Sequence, residues 1–204
     1  MKDGRAVSYA RVLSAALIAL AIAGCGTPPQ ERFFTLASEA PPAQSGAVAA
    51  GPGFSIVVGP VSVPDVVDRP QFVLQSTPTE VEIAEQARWA APLKTEIARV
   101  VADDLARVLD GARTAIWTQH ATGAADYRVL IDIQRFDSVP QEGATIQALW
   151  TVTAKDGTPL AGRSVVTEPA AAGYDALVAA HSRALASISR EIAAAIAAAR
   201  IRNP

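Results

Sequence analysis

The sequence predicts a single α+β domain in which two helices pack on one face of a mostly antiparallel sheet. Two stretches, 91–111 and 174–200, carry apolar residues at the spacing of an amphipathic helix. Two others, 126–138 and 144–154, alternate apolar and polar residues, which is typical of antiparallel strands with one covered face. The chain has 204 residues, half of them apolar, which is enough for one well-buried core and short for two.

Short strands are predicted ahead of the first helix. Residues 54–63 are rich in β-branched side chains and end at Pro64, which cannot continue a central strand. Residues 71–77 and 79–85 are predicted to form two further strands on either side of Pro78.

The helix predicted over 91–111 has clear end signals as well as an apolar face. Pro92 lies near its start and Gly111 just past its end, which is the asymmetry that helices prefer. A strand near 113–119 follows. The apolar face of the helix comprises Leu93, Ile97, Val100, Val101, Leu105, Val108 and Leu109.

The second half of the chain completes the sheet and adds the last helix. Asp156-Gly157 predicts a hairpin turn from the strand at 144–154 into one at 159–168. The last helix is predicted from Tyr174 to about Arg200. Its apolar stripe comprises Leu177, Leu185, Ile188, Ile192 and Ile196.

The chain offers few side chains suited to catalysis. His181 lies inside the apolar stripe of the last helix and is expected to be partly buried and hydrogen-bonded rather than a ligand or a base. His120 follows a strand in a polar turn and is expected to be exposed. Three carboxylates on the polar side or at the end of the first helix are expected to be solvated: Asp103, Asp104 and Asp110.

No sequence motif indicates an enzyme, a metal site or a cofactor. The chain lacks HExxH, CxxC, GxSxG and a Walker-type glycine loop, so we assign no catalytic or metal-binding residue and expect no cofactor. The formal net charge of −2 argues against nucleic acid, because phosphate binding needs a concentrated basic surface.

The N-terminus predicts a lipoprotein signal peptide over residues 1–24. Lys2, Arg5 and Arg11 precede an apolar run at 12–23, which is too short to cross a bilayer core of about 30 Å. A buried N-terminal helix is the alternative, but nothing amphipathic marks it.

Cys25, the only cysteine, is predicted to be lipidated. Ile22-Ala23-Gly24-Cys25 resembles the bacterial lipobox, in which the cysteine sulfur carries acyl chains and the cysteine becomes the mature N-terminus. In similar lipoproteins an aspartate after the cysteine favours retention in the inner membrane. Gly26 at that position favours the outer membrane, with the domain facing the periplasm.

The mature chain is expected to consist of a tethered segment and one domain. Residues 25–53 would hold the lipidated N-terminus and a flexible segment rich in alanine, proline and glycine. A short strand at 32–36 within it would shorten its free reach. Residues 54–204 would form the α+β domain.

Two polar segments are the candidate site. Asp68 and Arg69 lie between two predicted strands, and Arg88 and Trp89 lie immediately ahead of the first helix. Tryptophan beside arginine is more often a packing corner than a binding site, but both residue types are favoured at binding hot spots. The candidate partner-binding or structural residues are Asp68, Arg69, Pro70, Gln71, Arg88, Trp89, Pro92 and Leu93.

Four segments in a fixed order resemble a known family. The lipobox, "RFFTL", "VGPVSVPDVVDRPQFVLQ" and "ARWAAPLKTEIARVVADDLARVL" resemble the ABC-type transport auxiliary lipoproteins, the family of the intermembrane transport lipoprotein PqiC. The family pattern is roughly a tyrosine-rich first strand, an LDRPQ segment and an RWAEPL segment. Here Phe33-Phe34 replace the tyrosines, Val67 replaces the leucine, and Ala91 replaces the glutamate of the last segment.

The resemblance implies a role in transport without catalysis. Members look like outer-membrane partners of systems in which ABC transporter subunits work with MCE-domain proteins to move phospholipids or other apolar molecules between two membranes. The lipoprotein would dock the periplasmic conduit at the outer membrane. The sequence leaves open whether it forms a homo-oligomer. The alternatives are a lipoprotein that supports envelope assembly or secretion by binding protein and, more remotely, a lipid-anchored hydrolase.

Overall fold

The computed structural model describes residues 30–42, 53–118 and 125–202. Within these ranges the chain forms eight strands and two helices. The elements are β1 (Arg32–Phe34), β2 (Phe54–Ser62), β3 (Gln71–Thr77), β4 (Glu80–Trp89), α1 (Leu93–Val108), β5 (Ala112–Ile116), β6 (Tyr127–Val139), β7 (Gly143–Ala154), β8 (Pro159–Pro169) and α2 (Tyr174–Arg202). The signal peptide, Cys25 and His120 lie outside the described residues.

The strands form two sheets instead of the single sheet expected. One has the order β5-β2-β6-β7-β8, and the other has the order β1-β4-β3. The longest pairs, β6 with β7 and β7 with β8, are antiparallel, as is β3 with β4. β2 is parallel to both β5 and β6, and β1 is parallel to β4. The predicted α+β class is confirmed.

Both helices pack on one face of the five-stranded sheet. The alternation seen in the sequence is confirmed in β6, where Val129, Ile131 and Ile133 are buried, and in β7, where Ile146 and Val152 are buried. α1 packs against β2, β5 and α2, and α2 packs against β6, β7 and β8. The main core therefore lies between this sheet and the two helices.

The three-stranded sheet joins the same core through aromatic side chains. The ring of Phe72 on β3 lies 5.4 Å from that of Tyr174 at the start of α2, measured between centroids. Phe34 on β1 lies 5.8 Å from Tyr174 and 6.2 Å from Phe72. These contacts fix the small sheet against the N-terminal end of α2.

His181 belongs to this core. The predicted hydrogen bond is present, because its Nε2 lies 2.8 Å from the hydroxyl oxygen of Ser138 on β6. The imidazole also stacks on Phe136, with the ring centroids 3.8 Å apart. Its side chain is fully buried, which goes beyond the partial burial that was expected. Burial lowers the pKa of His181 to about 3, so the ring is neutral at physiological pH.

Candidate functional site

The fold brings the two candidate segments together at one end of the three-stranded sheet. The backbone N–H of Trp89 donates a hydrogen bond of 2.7 Å to the carbonyl of Pro70, and Gln71 lies opposite Arg88 in the β3–β4 register. The Lys94 ammonium nitrogen lies 2.7 Å from a carboxylate oxygen of Asp68. The short loop before β3 is therefore attached both to the end of β4 and to the first turn of α1.

Trp89 and Leu93 face inward and act in packing. Trp89 is 5% exposed and stacks on Phe72, with ring centroids 4.8 Å apart. Its other neighbour is Phe136, which it meets in an edge-to-face arrangement at 6.1 Å. Leu93 is buried where α1 begins. A partner at the surface cannot use either side chain as its main contact.

Pro92 shapes the start of α1. Its backbone is extended, and its carbonyl accepts hydrogen bonds from the N–H groups of Thr95 (2.9 Å) and Glu96 (3.1 Å). Proline is tolerated at this N-cap position because its own nitrogen lies ahead of the helical hydrogen bonds. The role of Pro92 in the site is thus to set the direction of the chain after Trp89.

The polar members of the site face outward. A guanidinium nitrogen of Arg88 lies 3.0 Å from a carboxylate oxygen of Glu31, while Asp68 is paired with Lys94. Arg69 is half-buried and has no hydrogen-bond or ion-pair partner among the described residues. Its Nε, like that of Arg88, is buried without an acceptor.

A segment that the sequence analysis did not single out lies across the two helices. We call residues 35–40, which follow β1, the strap. The strap donates from Thr35 Oγ1 and from the Leu36 N–H to the carboxylate of Glu96, and Arg99 donates to the carbonyl of Leu36 (2.7 Å). Burial raises the pKa of Glu96, but hydrogen bonds from Arg99 and Thr35 outweigh it and hold the pKa below its ordinary value.

Asp104 holds the far end of the strap, and the expectation that it is solvated is wrong. Its side chain is 0% exposed and accepts hydrogen bonds from Ser38 Oγ (2.6 Å), the Ala40 N–H (3.2 Å) and Ser189 Oγ (3.1 Å). Burial raises the pKa of Asp104 more than these hydrogen bonds lower it. Asp103, one position earlier in α1, is half exposed as expected.

A groove of about 390 Å³ opens on the outer face of the five-stranded sheet between Leu130 and Leu149, and its lining has no histidine or cysteine. Among the described residues, no cluster of three or more histidine, cysteine or acidic side chains could hold a metal ion. Neither described helix combines the length and apolarity needed to span a bilayer.

The fold and the site define a two-sheet α+β domain whose N-terminal segment is strapped across its helices. The chain belongs to the family of ABC-type transport auxiliary lipoprotein components, whose model matches residues 34–193. The chain is thus a lipoprotein-family component of an ABC-type transport system. A search of curated proteins finds no match.

Solved structures share the fold. One is a crystal structure of an uncharacterized protein, 19% identical, covering 82% of this chain and 99% of its own, with a TM-score of 0.66. Another is protein XCC0632 from Xanthomonas campestris, 20% identical, covering 79% of this chain and 92% of its own, with a TM-score of 0.61. At this level of identity the likeness concerns the fold alone.

Proposed function

We propose that the protein is a non-catalytic lipoprotein of the outer membrane that docks the periplasmic conduit of an ABC transport system at that membrane. Its family supports the transport system, and the lipobox at Cys25 supports membrane attachment. The proposed partners are an MCE-domain protein and the transporter subunits. The proposed cargo is a phospholipid or another apolar molecule that moves between the two membranes.

Arg69 provides the observation on which the docking role depends. It belongs to the loop 64–70, which is exposed at Val66 and at Pro70. Asp68 in the same loop is already paired with Lys94, whereas the guanidinium of Arg69 has no acceptor within the described part of the chain. An arginine fork pairs well with a carboxylate, and arginine is enriched among interface hot spots. We therefore expect the partner to present a carboxylate to this loop.

Crosslinking in cells tests the proposed partner. A photoreactive residue at position 69 should capture an MCE-domain protein, and mass spectrometry of the captured species identifies it. Capture of secretion or envelope-assembly proteins in its place would support the rival function. The mass of the purified complex would show whether one copy or a ring of copies docks.

Substitution of Arg69 tests its chemistry. Arg69→Ala should reduce co-purification of the partner about tenfold, which corresponds to about 1.4 kcal/mol. Arg163→Ala, at an exposed arginine on β8, is the matched control and should leave co-purification unchanged. Equal retention by the two variants would remove Arg69 from the interface.

Attachment to the membrane is tested separately. Mass spectrometry of the mature chain should find acyl chains on Cys25, and fractionation should place the protein in the outer membrane. An unmodified Cys25 thiol, or recovery of the protein from the soluble periplasmic fraction, would refute attachment to the outer membrane.

A further inference from the structure

The ion pair of Glu31 and the pairing of β1 with β4 leave a short length of chain between Cys25 and the fold. The first described contact after Cys25 is the ion pair between Glu31 and Arg88, with 3.0 Å between the charged atoms. Only residues 26–30 lie between Cys25 and Glu31. At about 3.3–3.6 Å per residue, the chain from Cys25 to Glu31 spans at most about 22 Å even when fully extended. A lipid on Cys25 therefore places β1 close to the bilayer surface.

β1 presents an exposed aromatic ring at this point. Phe33 is 62% exposed, whereas the next residue, Phe34, turns into the core. Phe33 lies opposite Arg88 in the parallel register of β1 and β4, and Arg88 lies opposite Gln71 on β3. Phe33 therefore belongs to the outer face of the three-stranded sheet, on its edge strand.

Two ion pairs lie near Phe33, and the exposed Glu39, which lines a groove together with Phe33, has no ion-pair partner among the described residues. Arg32 donates a hydrogen bond of 2.7 Å to the carboxylate of Asp175 at the start of α2, and Glu31 is paired with Arg88. The two paired sets of charges can approach lipid headgroups without leaving either partner isolated and desolvated. An exposed aromatic ring with an apolar body suits the boundary between headgroups and acyl chains.

We propose that the Phe33 surface, formed by Phe33 and the ion pairs Arg32–Asp175 and Glu31–Arg88, lies on the bilayer that anchors Cys25. Phe33 then sits at headgroup level, and the domain has one fixed orientation on the membrane. This inference rests on the acylation of Cys25, which is part of the proposed function. The short span from Cys25 to Glu31 selects the lipid surface as the occupant, because the anchor brings this face within reach of the bilayer.

A fluorophore at position 33 tests the contact. Acylation occupies the sulfur of Cys25 and the sequence has no other cysteine, so Phe33→Cys supplies a single reactive thiol. The acylated protein is labelled with an environment-sensitive nitrobenzoxadiazole dye and incorporated into vesicles of phosphatidylethanolamine and phosphatidylglycerol. The emission should shift to the blue, and a nitroxide-labelled lipid should quench it several-fold more than at the control position.

Val165→Cys is the matched control. Val165 is 56% exposed, similar to Phe33, but lies on β8 at the edge of the other sheet. A dye at this position should emit as it does in water, and the nitroxide-labelled lipid should quench it little. Thermal unfolding of both variants at the wild-type midpoint excludes a folding defect.

The outcomes separate this inference from the proposed function. An acylated protein with strong quenching at position 33 alone supports both. An acylated protein with equal, weak quenching at the two positions overturns the membrane contact and leaves the anchor intact. A protein that is not acylated at Cys25 overturns both.

Discussion

Mild acid should destabilise the fold through His181. Its imidazole is fully buried against Phe136, Phe72 and Ser138, and this burial lowers its pKa from 6.5 to about 3. The unfolded chain binds a proton below about pH 6.5, whereas the folded chain does not bind it until about pH 3. Stability that is fully present above pH 6.5 is therefore lost as the pH falls towards 3.

The size of the effect follows from the width of this pH range. Each pH unit between the two pKa values costs about 1.4 kcal/mol, so His181 should lower the free energy of unfolding by about 2 kcal/mol between pH 6.5 and pH 5. Asp104, whose pKa is raised, works in the opposite direction, because its folded form binds a proton more readily than its unfolded form. A comparison with a variant that lacks only the imidazole isolates the histidine.

His181→Gln is that variant, because an amide can still hydrogen-bond to Ser138 but does not titrate. Urea unfolding at pH 7 and at pH 5 should show that the wild type loses about 2 kcal/mol more than the variant. His120→Gln removes the other histidine and should keep the wild-type pH dependence. If His181→Gln and the wild type lose the same stability over this range, the buried neutral imidazole does not control acid sensitivity.

Three further predictions concern packing and the strap. Trp89→Ala should lower the free energy of unfolding in urea by about 3–5 kcal/mol, because a buried indole is lost. A loss below about 1 kcal/mol would mean that Trp89 does not stabilise the core. Gly162→Ala should cost about 1–3 kcal/mol and change the near-ultraviolet circular dichroism, because a Cβ there would overlap the Trp150 indole; Ala161→Ser on the exposed face should do neither. Asp104→Ala should cost about 1–3 kcal/mol and speed proteolysis within the strap, since Ser38 loses its acceptor; an unchanged digestion rate would mean that other contacts suffice.

Elements with a periodic pattern could be predicted from the sequence. The helix expected over 91–111 is observed at Leu93–Val108, and the strand expected over 144–154 is observed at Gly143–Ala154. In both cases one face is buried along the whole element, so the pattern of apolar residues carries the information locally. The hairpin turn at Asp156-Gly157 could also be predicted from the local sequence, because this turn needs a residue that adopts a positive φ. Gly157 has a φ of 86° in the structure.

Long-range contacts could not be predicted in this way. Asp104 lies on a helix face that looks polar in the sequence, but the strap covers that face and supplies its hydrogen-bond donors. The strap itself has no periodicity, because its backbone is held by side chains of α1 and α2 and not by a regular strand ladder. The division into two sheets depends on pairings such as β1 with β4, which join residues far apart in sequence.

The structure brings the two candidate segments together but turns their side chains in different directions. The segments containing Asp68 and Arg88 meet because both flank the strands of one small sheet. Alternation along β4 then turns Trp89 inward and Arg88 outward, so one segment serves both packing and the surface. A sequence alone does not say which of two neighbouring residues faces the core at the end of a strand.

The strap also determines how the domain would respond to mechanical load. Tension applied ahead of Glu31 reaches the exposed ion pairs of Glu31 and Arg32 first, and these break at little cost in water. Further detachment must separate β1 from β4 and then pull donors away from the buried carboxylates of Glu96 and Asp104. A weak force would therefore detach only the residues around Glu31, whereas a much larger force would be needed to detach the strap.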